Sequence, residues 1–264
     1  MRKLLAVSLF ATVSFFADAV ELKGHLTQGG LVTGQIDGVK SVIFNGQALK
    51  TTAQGEFVFG FGRDAELTHQ LAWVDADGVK HQQAIEITKR DYKIDKITGV
   101  ASKYVSPPKA VSERISREAV AVRNARKVDS ELRYFLDPVY KPAQGRISGV
   151  YGEPRRPHFG LDIANKTGSP VYAPVSGTVV FADNDLYYSG GTLILDHGHS
   201  VTSTYIHLSK LDVKVGDTIK RGDKIAEIGA TGRVTGPHLD WRFNWKGERL
   251  DPALMMLDKL ANQK

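Results

Sequence analysis

The sequence predicts a mostly β protein with an N-terminal β-sandwich-like domain, a helical connector and a C-terminal antiparallel β domain. Short apolar runs alternate with Gly and Asp turn signals over residues 20–100, and the same pattern returns from residue 146. Between these regions, Lys109 to about Phe135 carries apolar residues at helical spacing among Arg, Glu and Lys. We therefore expect β domains over 20–100 and 146–264, joined by a linker and helix over 101–145.

The first nineteen residues have the layout of a secretory signal peptide. Two basic residues precede an apolar run over residues 4–16, and the small residues Ala17 and Ala19 follow. The run is 13 residues long, shorter than the ~20 residues that a membrane-spanning helix needs. We expect cleavage after Ala19 and an exported chain without a membrane span, either periplasmic or associated with the cell wall.

Composition limits the chemistry that the chain can use. It has no cysteine, which excludes disulfides and thiolate ligands, so any metal site must be built from His, Asp or Glu. The net charge is +6, and the basic residues are spread along the chain without Lys/Arg-rich runs. This balance suits an anionic surface such as a cell wall and argues against a nucleic-acid partner.

In the first domain, Asp77-Gly78 marks a hairpin turn within LAWVDADGVKHQQAIEI. The three histidines of this domain, His25, His69 and His81, lack carboxylates at ligand spacing, and we interpret them as surface or hydrogen-bonded side chains.

The connector helix follows the break at Pro107-Pro108. Its charged composition and its apolar spacing are typical of a helix that lays one face on a neighbouring domain. A regulatory helix that covers a cleft is the alternative.

Five of the eight histidines lie in the C-terminal domain. His158 and Asp162 stand four apart in HFGLD, which on an ideal strand separates them by ~13 Å. A shared ion therefore requires a turn or bulge, which Gly160 permits. His207 in TYIHLS and His238 in GPHLDW each lie near the end of a strand-like run.

Taken together, these motifs resemble the lysostaphin/LytM-type zinc metallopeptidases of bacterial cell walls. The resemblance covers about Gly149 to Leu254 and rests on HFGLD, APVSGTV, GGTLILDHG, TYIHLS, VKVGDTIKRGDKIAEIG and TGRVTGPHL in the family's order. It implies a duplicated hybrid motif fold and hydrolysis of peptide bonds in peptidoglycan crosslinks. It also implies Zn²⁺ bound by His158 and Asp162, with His207 and His238 as the catalytic histidines.

That chemistry is sensible for these residue types. Zinc with three protein ligands and an open position lowers the pKa of water to about 7 and polarises a carbonyl. A neutral imidazole takes the proton of the water, and a protonated one donates to the oxyanion or the leaving amine.

Asp240 departs from the family pattern, which is His-x-His with the second histidine as third zinc ligand. A carboxylate oxygen and an imidazole Nδ1 are both three bonds from Cα, so Asp240 can reach zinc at the ~2.0 to 2.2 Å typical of oxygen ligands. Two carboxylates and one histidine neutralise the ion formally, so we expect a weaker Lewis acid and a less acidic water. The alternatives for Asp240 are a supporting role behind the ligands and a vacated metal site.

Two other readings compete with the enzyme. One is a catalytically inactive LytM-like module that binds the cell wall or activates another wall hydrolase; a regulatory protein partner is not identified by the sequence. The other is a biotinyl or lipoyl carrier domain, which the absence of a Met-Lys hairpin tip excludes.

The remaining polar and aromatic candidates are interpreted as structural. His197 and His199 in LDHGHS resemble a structural position, and Trp241 and Trp245 alternate with the ligand face and suit the core or its rim. A solvated turn is the interpretation for the pair of arginines that precede the first ligand, Arg155 and Arg156.

Overall fold

The computed structural model describes residues 19–92, 108–152 and 158–257. The predicted leader lies outside these ranges except for Ala19, and Arg155 and Arg156 lie outside them too. The mostly β class is confirmed, with antiparallel sheets throughout the described ranges. Within those ranges no helix is long and apolar enough to cross a membrane.

Seven short strands form the first domain. Their bounds are β1 (Leu22–Gly24), β2 (Leu31–Gln35), β3 (Ser41–Phe44), β4 (Gln47–Leu49), β5 (Glu56–Gly60), β6 (Thr68–Val74) and β7 (Lys80–Glu86). One sheet has the order β1-β2-β5 and the other β4-β3-β6-β7. Phe44 of one sheet stacks on Phe59 of the other at 4.4 Å between ring centroids, so the two sheets share a core. The predicted hairpin turn joins β6 to β7, with Gly78 at φ 87°.

The connector helix, α1 (Ser112–Ala125), follows a short 3-10 turn at Lys109–Val111. It ends ten residues before Phe135, so the predicted extent to Phe135 is wrong. Beyond the helix, the Ser130 hydroxyl accepts a hydrogen bond from the backbone N–H of Leu132, which offers the chain an alternative to helical bonds. Phe135 lies in a second 3-10 turn and is buried in the core, so its helical spacing from the preceding apolar residues does not place it on a face of α1.

The C-terminal domain contains ten strands in one antiparallel sheet. Their bounds are β8 (Arg146–Gly149), β9 (Leu161–Ala164), β10 (Pro170–Tyr172), β11 (Gly177–Leu186), β12 (Gly190–Gly198), β13 (Val201–Leu211), β14 (Thr218–Ile219), β15 (Lys224–Ile228), β16 (His238–Trp245) and β17 (Glu248–Leu250). The main order is β14-β11-β12-β13-β16-β9-β8, with β10, β15 and β17 paired off this path.

Strand β16 has two chemically different faces. Its odd-numbered residues are Leu239, Trp241, Phe243 and Trp245, all buried in the hydrophobic core, as expected for the two tryptophans. Its even-numbered residues, which begin at His238, are polar and point to the opposite face because side chains alternate along a strand. The polar face therefore carries the candidate site.

The two β domains pack against each other through apolar and charged contacts. Trp245 meets Phe44 edge to face at 6.2 Å between ring centroids. Arg90 contacts the buried carboxylate of Asp251 at 2.8 Å. The contact of Trp245 joins the first domain to β16, the strand that carries the candidate site.

Candidate metal centre

Three predicted ligands converge at one point of the sheet. β9 and β16 pair so that Asp162 lies directly opposite Asp240, and His158 lies just before β9. Nε2 of His158 is 3.0 Å from Oδ1 of Asp162 and 3.4 Å from Oδ2 of Asp240. Ligand atoms of a tetrahedral zinc site stand about 3.3 Å apart, so the spacing fits zinc. Among the described residues, this is the one group of three such ligands.

The orientation of His158 directs its Nε2 toward the other two predicted ligands. Its Nδ1 lies 3.1 Å from the carbonyl oxygen of Val150, which can only accept, so Nδ1 carries a proton and Nε2 is the nitrogen that faces the two carboxylates. Nε2 of His158 and Oδ1 of Asp162 are both buried and lie 3.0 Å apart, and among the described residues Oδ1 has no hydrogen-bond donor outside the cluster. The donor set is therefore suited to a cation in type and spacing, while both oxygens of Asp240 are also bonded by Arg242.

Gly160 is required here for space rather than for the backbone angle that the sequence suggested. Its φ is not in the left-handed region. A Cβ at this position would lie 2.1 Å from Oδ1 of Asp240 and 2.9 Å from Cγ of Arg242. The absence of a side chain at residue 160 lets Asp240 approach the chain that carries His158.

His207 and His238 lie side by side, with 4.9 Å between ring centroids. Nδ1 of His207 bonds the carbonyl of Thr231 at 2.8 Å, and Nδ1 of His238 bonds the carbonyl of Gly236 at 2.9 Å. Because carbonyls only accept, both rings donate from Nδ1 and leave Nε2 available as a proton acceptor. Nε2 of His238 is 3.9 Å from Oδ2 of Asp162, which places the pair beside the ligands.

Backbone geometry and burial both act on His207. The register of β13 against β12 shifts between Tyr205 and Leu208, and His207 has φ 67° within this irregularity. Burial lowers the pKa of His207 to about 4, with only partial compensation from the nearby Asp240 charge. The imidazole is therefore neutral at neutral pH, as a proton acceptor must be.

Arg242 was not given a role by the sequence analysis, yet it contacts a predicted ligand directly. Its Nε donates to Oδ1 of Asp240 at 2.8 Å, and its Nη2 donates to Oδ2. Burial raises the pKa of Asp240, but the charges of Arg242 and His158 outweigh it and hold that pKa well below its usual range. The available signal was the i, i+2 spacing of Asp240 and Arg242, which puts both on one strand face.

The carboxylates of Asp162 and Asp240 also change the pKa of His158. Burial lowers the pKa of this imidazole, but the carboxylates of Asp240 and Asp162 outweigh that effect and raise the pKa to about 11. The cluster of two carboxylates therefore favours a positive charge at the ligand position, whether that charge is a proton or a metal ion.

The other histidines lie elsewhere. His197 is buried and bonds the Ser176 carbonyl and the Ser203 hydroxyl, while His199 packs on Phe135. His81 bonds one carboxylate, Asp75, at 2.6 Å. In the first domain His69 bonds Asn45 and the Glu66 carbonyl, and His25 is exposed.

Comparison with known proteins places this geometry in a family. Residues 156–252 match the model of Peptidase family M23. An uncharacterized metalloprotease of Haemophilus influenzae is 33% identical over 73% of this chain and 43% of its own length. Peptidoglycan DD-endopeptidase ShyA of Vibrio cholerae is 30% identical over 81% of this chain and 50% of its own length. The chain thus spans half or less of the length of these curated relatives.

A non-peptidase name also occurs among the relatives. Murein hydrolase activator NlpD of Escherichia coli is 31% identical over 42% of this chain and 29% of its own length. Among solved structures, a peptidase M23 from Pseudomonas aeruginosa superposes with a TM-score of 0.70 and 26% identity, over 88% of this chain and 94% of that one. Residues 156–252 are therefore a peptidase domain of family M23, with LytM-type peptidoglycan endopeptidases among the relatives of the chain.

Proposed function

We propose that this protein is an exported zinc metalloendopeptidase that hydrolyses peptide bonds in peptidoglycan crosslinks. The observation that carries the proposal is the convergence of His158, Asp162 and Asp240 beside two histidines whose Nε2 atoms are free. The printed names of its relatives, among them a peptidoglycan DD-endopeptidase, support the substrate class.

The residues divide the chemistry between them. His158, Asp162 and Asp240 would hold zinc, which would supply a Lewis acid that polarises the scissile carbonyl and acidifies water. Nε2 of His207 or His238 accepts the proton of the attacking water, and the protonated imidazole then donates to the oxyanion or the leaving amine. The carbonyls of Thr231 and Gly236 keep both rings in the tautomer that this step needs.

The test is release of crosslink peptides from purified sacculi, together with zinc analysis of the protein. We expect about one equivalent of zinc, and loss of peptide release in His207→Ala and His238→Ala. His25→Ala, an exposed histidine of the first domain, is the matched control and should digest like the wild type. Undiminished digestion by both site variants would contradict the proposal.

A second function, a non-catalytic module that binds the wall or activates another hydrolase, is favoured by one observation. Arg242 occupies both oxygens of Asp240 and supplies a positive charge beside the metal position. An activator named among the relatives supports the same class. Metal-free protein whose unfolding temperature is unchanged by chelators, and which still binds sacculi, would support this function against the enzyme.

A further inference from the structure

A cavity of about 900 Å³ lies between α1 and the polar face of the C-terminal sheet. The helix contributes apolar side chains, among them Ile115 and Val122, and the sheet contributes Ile206 and Asn244. Arg242 also lines the cavity, so the cavity begins where the ligand Asp240 is paired. The cavity is thus a continuation of the candidate metal centre along the sheet.

The charged groups of this cavity are almost all positive. Arg126, Arg242 and Arg249 converge within it, and three further cations line it, Arg123, Lys127 and Lys246. Its one acidic lining residue, Glu118, is engaged by the Arg114 side chain and by the backbone N–H of Tyr187. Asp240 pairs with Arg242, so Arg126 and Arg249 have no carboxylate partner among the described residues.

These two guanidiniums have unused hydrogen-bonding capacity. Arg126 donates from Nε and Nη2 to one hydroxyl, Oγ1 of Thr204, at 3.3 Å each. Nη1 of Arg249 is buried and lacks a partner in the described structure. A guanidinium has five N–H donors, and leaving buried ones unpaired is costly.

The electrostatics agree with this geometry. Burial, followed by the charges of Arg249 and Arg242, lowers the pKa of Arg126 to about 8. Burial and the charge of Arg242 lower the pKa of Arg249 to about 10. The Asp240 carboxylate offsets this effect only in part for both arginines, and an anion that enters the cavity would reduce the remaining excess of positive charge.

We propose that this cavity is a substrate subsite that binds a carboxylate of a peptidoglycan stem peptide through Arg126 and Arg249. The inference rests on the proposed function for its substrate class. Stem peptides carry free carboxylates on short aliphatic side chains, and the cavity offers paired guanidiniums beside apolar walls. Arg242 lines the cavity and also contacts Asp240, so one peptide can present a carboxylate to the cavity and a scissile bond to the metal centre.

The test is calorimetric titration of the full chain carrying His207→Ala, so that the peptide is not consumed. The probes are a purified stem tetrapeptide, the same peptide with its carboxylates amidated, and inorganic phosphate. We expect amidation to weaken binding at least tenfold. Arg126→Met and Arg249→Met should each weaken binding of the unmodified peptide at least tenfold, whereas Arg146→Met, at an exposed position on β8, should not.

Equal binding of the amidated peptide overturns the proposal, as does unchanged binding by both arginine variants. Phosphate that binds through the same arginines and is not displaced by the peptide also overturns it. Arg126→Lys and Arg249→Lys keep the charge, so partial binding by these folded variants supports the proposal even where a methionine variant fails to fold. If the wild-type protein digests no sacculi but its peptide binding is weakened by amidation, the subsite is supported and only the proposed hydrolysis is contradicted.

Discussion

Arg242 holds both carboxylate oxygens of Asp240 from two residues further along the same strand face, with 2.8 Å between Nε and Oδ1. A bidentate guanidinium is among the strongest partners that a carboxylate finds in a protein. Zinc and Arg242 therefore compete for the same oxygens, and the positive charge of Arg242 opposes a dication at the His158 and Asp162 side of the cluster.

Replacing Arg242 by Met should strengthen zinc binding. The change frees the oxygens of Asp240 and removes one positive charge from the site, so we expect the zinc dissociation constant to fall at least tenfold, or about 1.4 kcal/mol. Competition titration with a chromophoric chelator measures it. Arg146→Met serves as the control, since Arg146 lies on exposed β8. Equal zinc affinity in the two variants would show that Arg242 does not limit the site.

Asp240→His should destabilise the protein without zinc when made alone, because the half-buried Arg242 then remains without its carboxylate. Breaking a fully buried pair costs about 3 to 5 kcal/mol, so we expect a loss of about 3 kcal/mol or less. The double variant Asp240→His with Arg242→Gly should recover most of that loss. Urea unfolding of the two single variants and the double variant gives the coupling energy. Additive effects would mean that the two side chains do not depend on each other.

Gly160→Ala should disturb the site through steric contact alone. The new Cβ would meet Oδ1 of Asp240 at 2.1 Å, so Asp240 or the chain at residue 160 must move. We expect weaker zinc binding and a lower unfolding temperature. Gly236→Ala is the matched control, because nothing lies within 4 Å of its Cβ position and its φ is not positive. Similar behaviour of the two variants would remove the steric argument.

Buried His197 should make stability fall in mild acid. Burial lowers its pKa to about 4, below the ~6.5 of the unfolded state. Between these values the unfolded chain binds more protons, so the free energy of unfolding decreases as pH falls from about 6.5 to 4, by about 3 kcal/mol. Urea unfolding across this range measures the slope. His197→Gln should reduce the slope, of which buried His207 supplies another part, whereas His25→Gln, at an exposed position, should leave it unchanged.

The β class was predictable from local signals, because alternation and turn residues report strands directly. The meeting of His158 with Asp162 was predicted from the resemblance to a family, since their spacing alone required a turn or bulge. The extent of the connector helix was not predictable in this way. Phe135 continues the helical spacing but belongs to a separate buried turn, and only tertiary packing distinguishes the two.

The charges around the site were harder to foresee for a physical reason. Arg126, Arg242 and Arg249 come from the end of α1 and from two paired strands, so their convergence depends on the packing of the helix on the sheet. The left-handed backbone of His207 likewise arises from the irregular pairing of β13 with β12. Neither the convergence of the arginines nor the backbone angle of His207 can be predicted from residue spacing within one segment.

The two faces of β16 give the site a safeguard. A shift of the pairing register of this strand by one residue would expose Trp241 and Phe243 to water. It would also move Asp240 and Arg242 into the apolar interior. Exposing such large side chains costs roughly 1.5 to 3 kcal/mol each, before the cost of burying the charges. The eight residues of β16 therefore disfavour a shifted register during folding. The same residues thereby fix the positions of Asp240 and His238 in the candidate site.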